Sequence, residues 1–249
     1  MVSELASSRL LIDQMKTSLS FVALACAFAG SAFAQVTGDP ARIDVYITPY
    51  YNSKGPTIEA GPFSKGLATK SEPEFVATIN KMRQSWNELR FPEVYVAAIR
   101  LYDLGFRNES IYWFYSAQYR GRLFASLVDR EKTGSIGAPG FELVQAANAF
   151  QQLVGPYVNG YAFGDIDRLI PEVALVQKEN KNVPDVEKLY PGVAFKPKSE
   201  WDTANRGLNE GLTKFVETLK DQAATLKKTR IENGTEAKFS KLSSKDLPK

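Results

Sequence analysis

The sequence predicts a mainly α protein, a helical-hairpin bundle of five to six helices with a short N-terminal β-hairpin. Two observations predict it. From residue 71 onward apolar residues recur three and four apart, the spacing of a buried helix face. Only one stretch, residues 41–60, alternates with period two, and it is interrupted by a turn cluster.

In that stretch Ile43, Val45 and Ile47 alternate with Arg42, Asp44 and Tyr46. Asn52-Ser53-Lys54-Gly55-Pro56 supplies a turn, and Thr57 to Ala60 is expected to return as the second strand. A lone hairpin is unstable in water and must lie on the helical body. Ser71 and Glu74 read as a capping box, with Phe75, Ile79, Met82, Trp86 and Leu89 on one face of the helix that follows. Pro92 suits the first turn of the next helix, whose stripe is Val94, Tyr95, Ala98, Ile99 and Tyr102, and Gly105 its C-cap. Asn108 is expected to cap a third helix running from Glu109 to about Asp129.

Thr133 to Gly140 reads as a loop and Phe141 to Leu153 as a fourth helix, stopped by Gly155-Pro156. Tyr157 to Gly164 then reads as an aromatic, glycine-rich connector. Asp165 caps a fifth helix to about Asn180, with Pro171 in an early turn. Residues 181–198 hold three prolines and one helical turn, Val186 to Leu189. Ser199 is expected to cap a long last helix to about Glu232, with Leu208, Leu212, Phe215, Val216, Leu219, Ala223 and Leu226 as its stripe. Asn233-Gly234 stops it, leaving 235–249 as a flexible polar tail.

The N-terminus reads as an export signal. Met15-Lys16 opens a short basic region, Ser18 to Ala34 is apolar and small, and Ala32-Phe33-Ala34 is a signal-peptidase site. The expected organisation is a signal peptide at 1–34 with Met15 as the true start, then one domain at 35–234. The run is short and small for a membrane anchor, so no stable membrane insertion is expected after cleavage. Cys26 offers a lipoprotein alternative, weakened by a misplaced Leu. A periplasmic or secreted location follows, and a mature chain without cysteine suits an oxidising compartment.

Composition excludes several chemistries. The chain has no His, which removes His-based triads and dyads and His-ligated zinc, and one Cys, which removes an intrachain disulfide. A formal net charge of +3 over 249 residues is small for a nucleic-acid binder, and no nucleic-acid partner is expected. There is no Ser-x-x-Lys, no Walker loop and no calcium loop, so no cofactor or metal is expected. Residues 214–249 carry nine Lys/Arg against five Asp/Glu, read as a solvated basic end.

The residues at 101–121 resemble the end of a Sel1-like repeat, a relative of the tetratricopeptide repeat. Leu101 to Gly105 matches that family's turn, and Trp113, Ala117 and Gly121 match its spacing. Ser110 departs from the family's Ala, and no second copy occurs. The resemblance implies helical-hairpin packing and protein binding rather than chemistry.

Five consecutive large residues, Ile111 to Tyr115, cannot all face one core. Either the helix is central or a face formed by Tyr112, Tyr119 and Arg122 meets a partner, since Tyr and Arg favour interface hot spots. Tyr46, Tyr50 and Tyr51, with Tyr157, Tyr161 and Phe163, are candidates for a stacking groove for sugar or peptide. Glu142, Asp165 and Asp167 are the candidate acids of a glycan hydrolase, which would need two carboxyls about 5–9 Å apart in one cleft. The leading expectation is an exported, non-enzymatic protein-binding or scaffolding protein, an immunity-type inhibitor of a periplasmic toxin being one version. A carboxylate hydrolase acting on cell-wall glycan is the alternative.

Overall fold

The computed structural model describes residues 36–55 and 57–248. The expected signal peptide, with Met15 and Cys26, lies outside the described residues. The protein is mainly α with a short N-terminal hairpin.

Strand β1 (Tyr46–Ile47) pairs antiparallel with β2 (Tyr51–Asn52), Ile47 lying opposite Tyr51. The hairpin therefore turns at 48–50, earlier than expected. The Asn52–Gly55 turn is real but is the second one: the Asn52 N–H donates to Thr57 O at 3.0 Å, and Tyr51 bridges Ile58. The alternation did set the faces correctly, with Ile43, Val45 and Ile47 buried and Arg42, Asp44 and Tyr46 exposed.

Helix α1 (Ser64–Ala68) leads to α2 (Glu72–Gln84). Ser71 caps α2 by accepting from Glu74 N–H, but the Glu74 carboxylate takes the Thr69 hydroxyl instead of completing a box. A 3-10 turn at Trp86–Glu88 ends this segment short of Leu89. Helix α3 (Phe91–Asp103) starts on an unexpected cap: Glu93 reaches back to the Arg90 N–H at 2.8 Å, and the Tyr190 hydroxyl accepts from Phe91 N–H at 3.0 Å. Gly105 ends it at φ +90°, where its missing Cβ matters.

Helix α4 (Arg107–Leu127) is the axis of the fold, packed by α3, α5 (Pro139–Ala162), α6 (Ile166–Glu179) and α8 (Trp201–Asp221). That four-sided burial is how consecutive large residues are accommodated. Ile111, Trp113, Phe114 and Tyr115 are all buried, and Tyr112 is half-buried against Trp86. Phe106, not Asn108, is the N-cap of α4; the Asn108 N–H is taken by the Ser244 hydroxyl.

Helix α5 corrects the expected stop at Gly155-Pro156. It runs on through Pro156, so 157–162 are helix rather than connector. A proline inside a helix costs about 3 kcal/mol. Here the continuing turn buries Tyr157, Val158 and Ala162 and lets Asn159 accept from the Tyr115 hydroxyl, which offsets that cost. After α6 and the short α7 (Val186–Leu189), residues 194–196 bond antiparallel to the end of α4. Glu200, not Ser199, is the N-cap of α8, and the expected single last helix is broken at Gln222 into α8 and α9 (Ala223–Glu232).

Residues 235–248, expected as a flexible tail, pack onto the body. Helix α10 (Thr235–Phe239) buries Phe239 against Gly160. Arg230 donates to Gly160 O at 2.7 Å and pairs with Glu236. Beyond α10, Lys245 N–H donates to Gly105 O at 2.8 Å. Scattered apolar residues among lysines gave no periodic signal for this docking. Among the described residues no helix is long and apolar enough to cross a membrane.

Candidate functional site

The residues expected to form a docking face are structural. Tyr119 is fully buried: its hydroxyl donates to Asn205 Oδ1 and accepts from Asn209 Nδ2, each at 2.6 Å. These bonds join α4 to α8, with Asn205 donating to the carbonyls of Asn180 and Lys181 beyond α6. Tyr112 bonds Glu179 across to α6. Arg122 is largely interior, and burial pulls its guanidinium down to about 10. Tyr112, Tyr119 and Arg122 therefore do not present one face to solvent, because α4 has elements on all sides.

The aromatic groove also disperses. Tyr50 packs on Phe150, Tyr161 donates to Asn108 Oδ1 at 2.9 Å, and Phe163 packs on Phe215. Tyr46 alone of these is largely exposed, at 62%. The three acids do not converge. Glu142 sits in the first turn of α5 accepting from Gly137 N–H, whereas Asp165 lies just past the other end. A helix of 24 residues spans roughly 35 Å, far beyond a glycosidase pair. Asp165 caps α6 through the Arg168 N–H at 3.0 Å, and Asp167 is exposed in the same first turn.

A different site forms where the hairpin meets α3. A cleft of about 490 Å³ is lined by Arg42, Tyr51, Ser53, Lys54, Lys70, Arg100 and Asp103, with Ile58 and Leu104 among its apolar walls. The hairpin brings Arg42 and Lys54, the α1–α2 link brings Lys70, and α3 brings Arg100 and Asp103. Carbonyls pin both arginines: Arg42 donates to Ser53 O at 2.8 Å and Arg100 to Leu67 O at 2.9 Å. Among the described residues none of the four cations forms an ion pair.

Asp103 forms the floor. Its Oδ1 accepts from the Ile43 N–H at 2.8 Å and its Oδ2 faces the Tyr51 hydroxyl at 3.4 Å. Burial pushes this carboxyl up to about 6, against the opposing pull of the Ile43 N–H and the Arg100 and Arg42 charges. Burial, then the Asp103 charge, pushes the Tyr51 phenol up to about 12, so it remains a donor. A carboxyl titrating near neutrality inside a cationic cleft is the electrostatic pattern of a functional site.

By contrast, the acid-lined cavity of about 390 Å³ under the C-terminal segment has its cations neutralised, Arg168 by Asp165 and Arg230 by Glu236. Among the described residues no group of three or more Cys, Asp or Glu is placed to hold a metal.

Tyr51 was the single member of the cleft singled out from sequence. A readable signal existed in α3: Asp103 falls four residues after Ile99, on the apolar stripe, where a carboxylate is out of place. The cations gave none, since they come from three separated segments.

The raised Asp103 carboxyl makes stability depend on pH. The unfolded chain ionises this group near 4 and the folded chain near 6. Its contribution is therefore fully present below about pH 4 and lost as pH rises through about 6, a loss of about 3 kcal/mol. Asp103→Asn keeps an acceptor for Ile43 N–H without the charge. Denaturant titrations from pH 4 to 8 should show the variant flatter than wild type, and no less stable at pH 8; a parallel pair of curves would contradict the assignment.

No family model matches the chain, and no solved structure matches it. The chain is similar to an uncharacterized protein of Haemophilus influenzae, 26% identical over 206 residues, covering 78% of this chain and 73% of that protein.

Proposed function

We propose that this chain is an exported, non-enzymatic binding protein of the bacterial envelope, and that it takes its partner at the cleft between the hairpin and α3. The observation that carries the reading is the set of four cations around that cleft, none of which forms an ion pair among the described residues. Four cations against the single carboxylate of Asp103 leave a net positive cleft, and an incoming anion relieves their mutual repulsion. The fixed arginines are already oriented to receive it.

The Sel1-like resemblance at 101–121 belongs with this reading as a packing device: Trp113 and Ala117 are fully buried between helices. The immunity-type version needs a broad protein-docking face, and the buried Tyr119 cannot supply one. The glycan hydrolase loses its support because Glu142 and Asp165 sit at opposite ends of α5.

The test is native mass spectrometry of protein purified from periplasm. Export and cleavage after Ala34 are read as a mature mass beginning at Gln35. An anionic species should accompany the wild-type protein in one-to-one ratio and be absent from a Lys54→Gln/Lys70→Gln variant. Identical spectra for both proteins, or release of fragments from cell-wall glycan, would reject the binding reading.

A further inference from the structure

Resting on the binding reading, we infer that the hairpin–α3 cleft binds a phosphate group, free or as a monoester, held by Arg42, Arg100, Lys54 and Lys70 and chosen over sulfate by a proton shared with Asp103.

The cations alone would accept any anion. The selective element is Asp103, which lines the same cleft. An ionised carboxylate repels an anion seated beside it unless a proton lies between them. Sulfate carries no proton near neutrality, so once Asp103 is ionised, above about pH 6, it meets that repulsion unrelieved. A hydrogen phosphate can donate to the carboxylate, and a protonated Asp103 can donate to a phosphate dianion. The second phosphate ionisation of a monoester, near 6, matches the raised Asp103 carboxyl. One proton can therefore serve either partner.

The groups facing Asp103 are Arg100 on its own helix, Arg42 and the Ile43 N–H before β1, and Tyr51 on β2. Tyr102 and Tyr157 lie within its field. None of these is a second carboxylate that could take the proton instead. The tyrosines stay neutral across the working range because burial raises each. The cavity, at about 490 Å³, has room beyond the phosphate, with Ile58, Ala68 and Leu104 offering apolar wall to an ester substituent.

Calorimetric titration of the purified protein tests this with inorganic phosphate, glycerol 3-phosphate and sulfate at about pH 5.5 and 8. Phosphate should bind one-to-one and, at pH 8 where Asp103 is ionised, at least about tenfold tighter than sulfate, about 1.4 kcal/mol. The pH arms separate the sources. Inorganic hydrogen phosphate keeps a proton at pH 8 and should hold its affinity, whereas the monoester loses its proton and should weaken about tenfold if it is excluded by ionised Asp103. A monoester that binds more tightly than inorganic phosphate at pH 5.5 identifies the esterified group as the ligand.

Asp103→Asn should bring phosphate and sulfate within about threefold of each other, because an amide donates to both. Lys54→Gln/Lys70→Gln changes exposed side chains and should weaken both anions about tenfold with an unchanged melting curve. Equal affinity for sulfate and inorganic phosphate in the wild-type protein at pH 8 overturns the shared proton. No binding of either anion, while native spectra still show a lysine-dependent species, overturns phosphate but not the binding reading. Absence of both overturns the two together.

Discussion

Tyr119→Ala is expected to cost about 3–5 kcal/mol of stability, the range for deleting a large buried ring. The ring is fully enclosed and α4 cannot collapse into the gap, because α3, α5, α6 and α8 already surround it. The hydroxyl adds a separate cost. Tyr119→Phe preserves the ring but leaves Asn205 Oδ1 and Asn209 Nδ2 without their shared partner. Asn205 is buried, so that change alone should cost about 1–3 kcal/mol. Against a total of about 5–15 kcal/mol for a typical domain, the alanine variant gives up a large part of the fold. Urea denaturation of the two variants reads both values. A cost below about 1 kcal/mol for Tyr119→Ala would return the residue to the surface role the sequence suggested.

The same residue shows where sequence reading stops. Helical periodicity located α2, α6 and the stripe of α8, because each has a polar face that marks its apolar one. Helix α4 has no such contrast: a helix packed on four sides carries Tyr and Arg inward together with Phe and Trp. A tyrosine whose hydroxyl is satisfied by two asparagines from another helix reads, in one dimension, like an interface tyrosine. Pro156 misled for a related reason. Its local cost is visible in sequence, while the burial of Tyr157, Val158 and Ala162 that offsets it depends on tertiary neighbours. The cleft was legible only at Asp103 and Tyr51. Its cations converge because the hairpin folds back on α3, with Ile43 N–H held by Asp103 across 60 residues of sequence.

Gly160→Ala should reverse the sign of its effect with the side chain at 239. A Cβ on Gly160 would lie 2.4–2.9 Å from three atoms of the Phe239 ring, closer than packed atoms tolerate. Overpacking of this kind costs about 1–3 kcal/mol. Opposing it is the helix preference of Ala over Gly, worth about 1 kcal/mol in a helix interior such as that of α5. In the wild-type background the clash wins. The strain should be relieved at α10 rather than α5, because α10 has five residues and α5 has 24. Amide exchange and proteolysis at Lys238 and Lys241 should then rise while the helical core holds its protection. Displacing α10 would also draw on the Arg230–Glu236 pair and the Lys238 bond to Val36 O. Phe239→Ala removes the ring, and in that background Gly160→Ala should become stabilising by up to about 1 kcal/mol, since only the helix preference remains. The coupling read from this double-mutant cycle should be about 2 kcal/mol. Additive effects would mean that Phe239 does not rest on Gly160 in solution, and that the C-terminal segment is the free tail its lysines suggest.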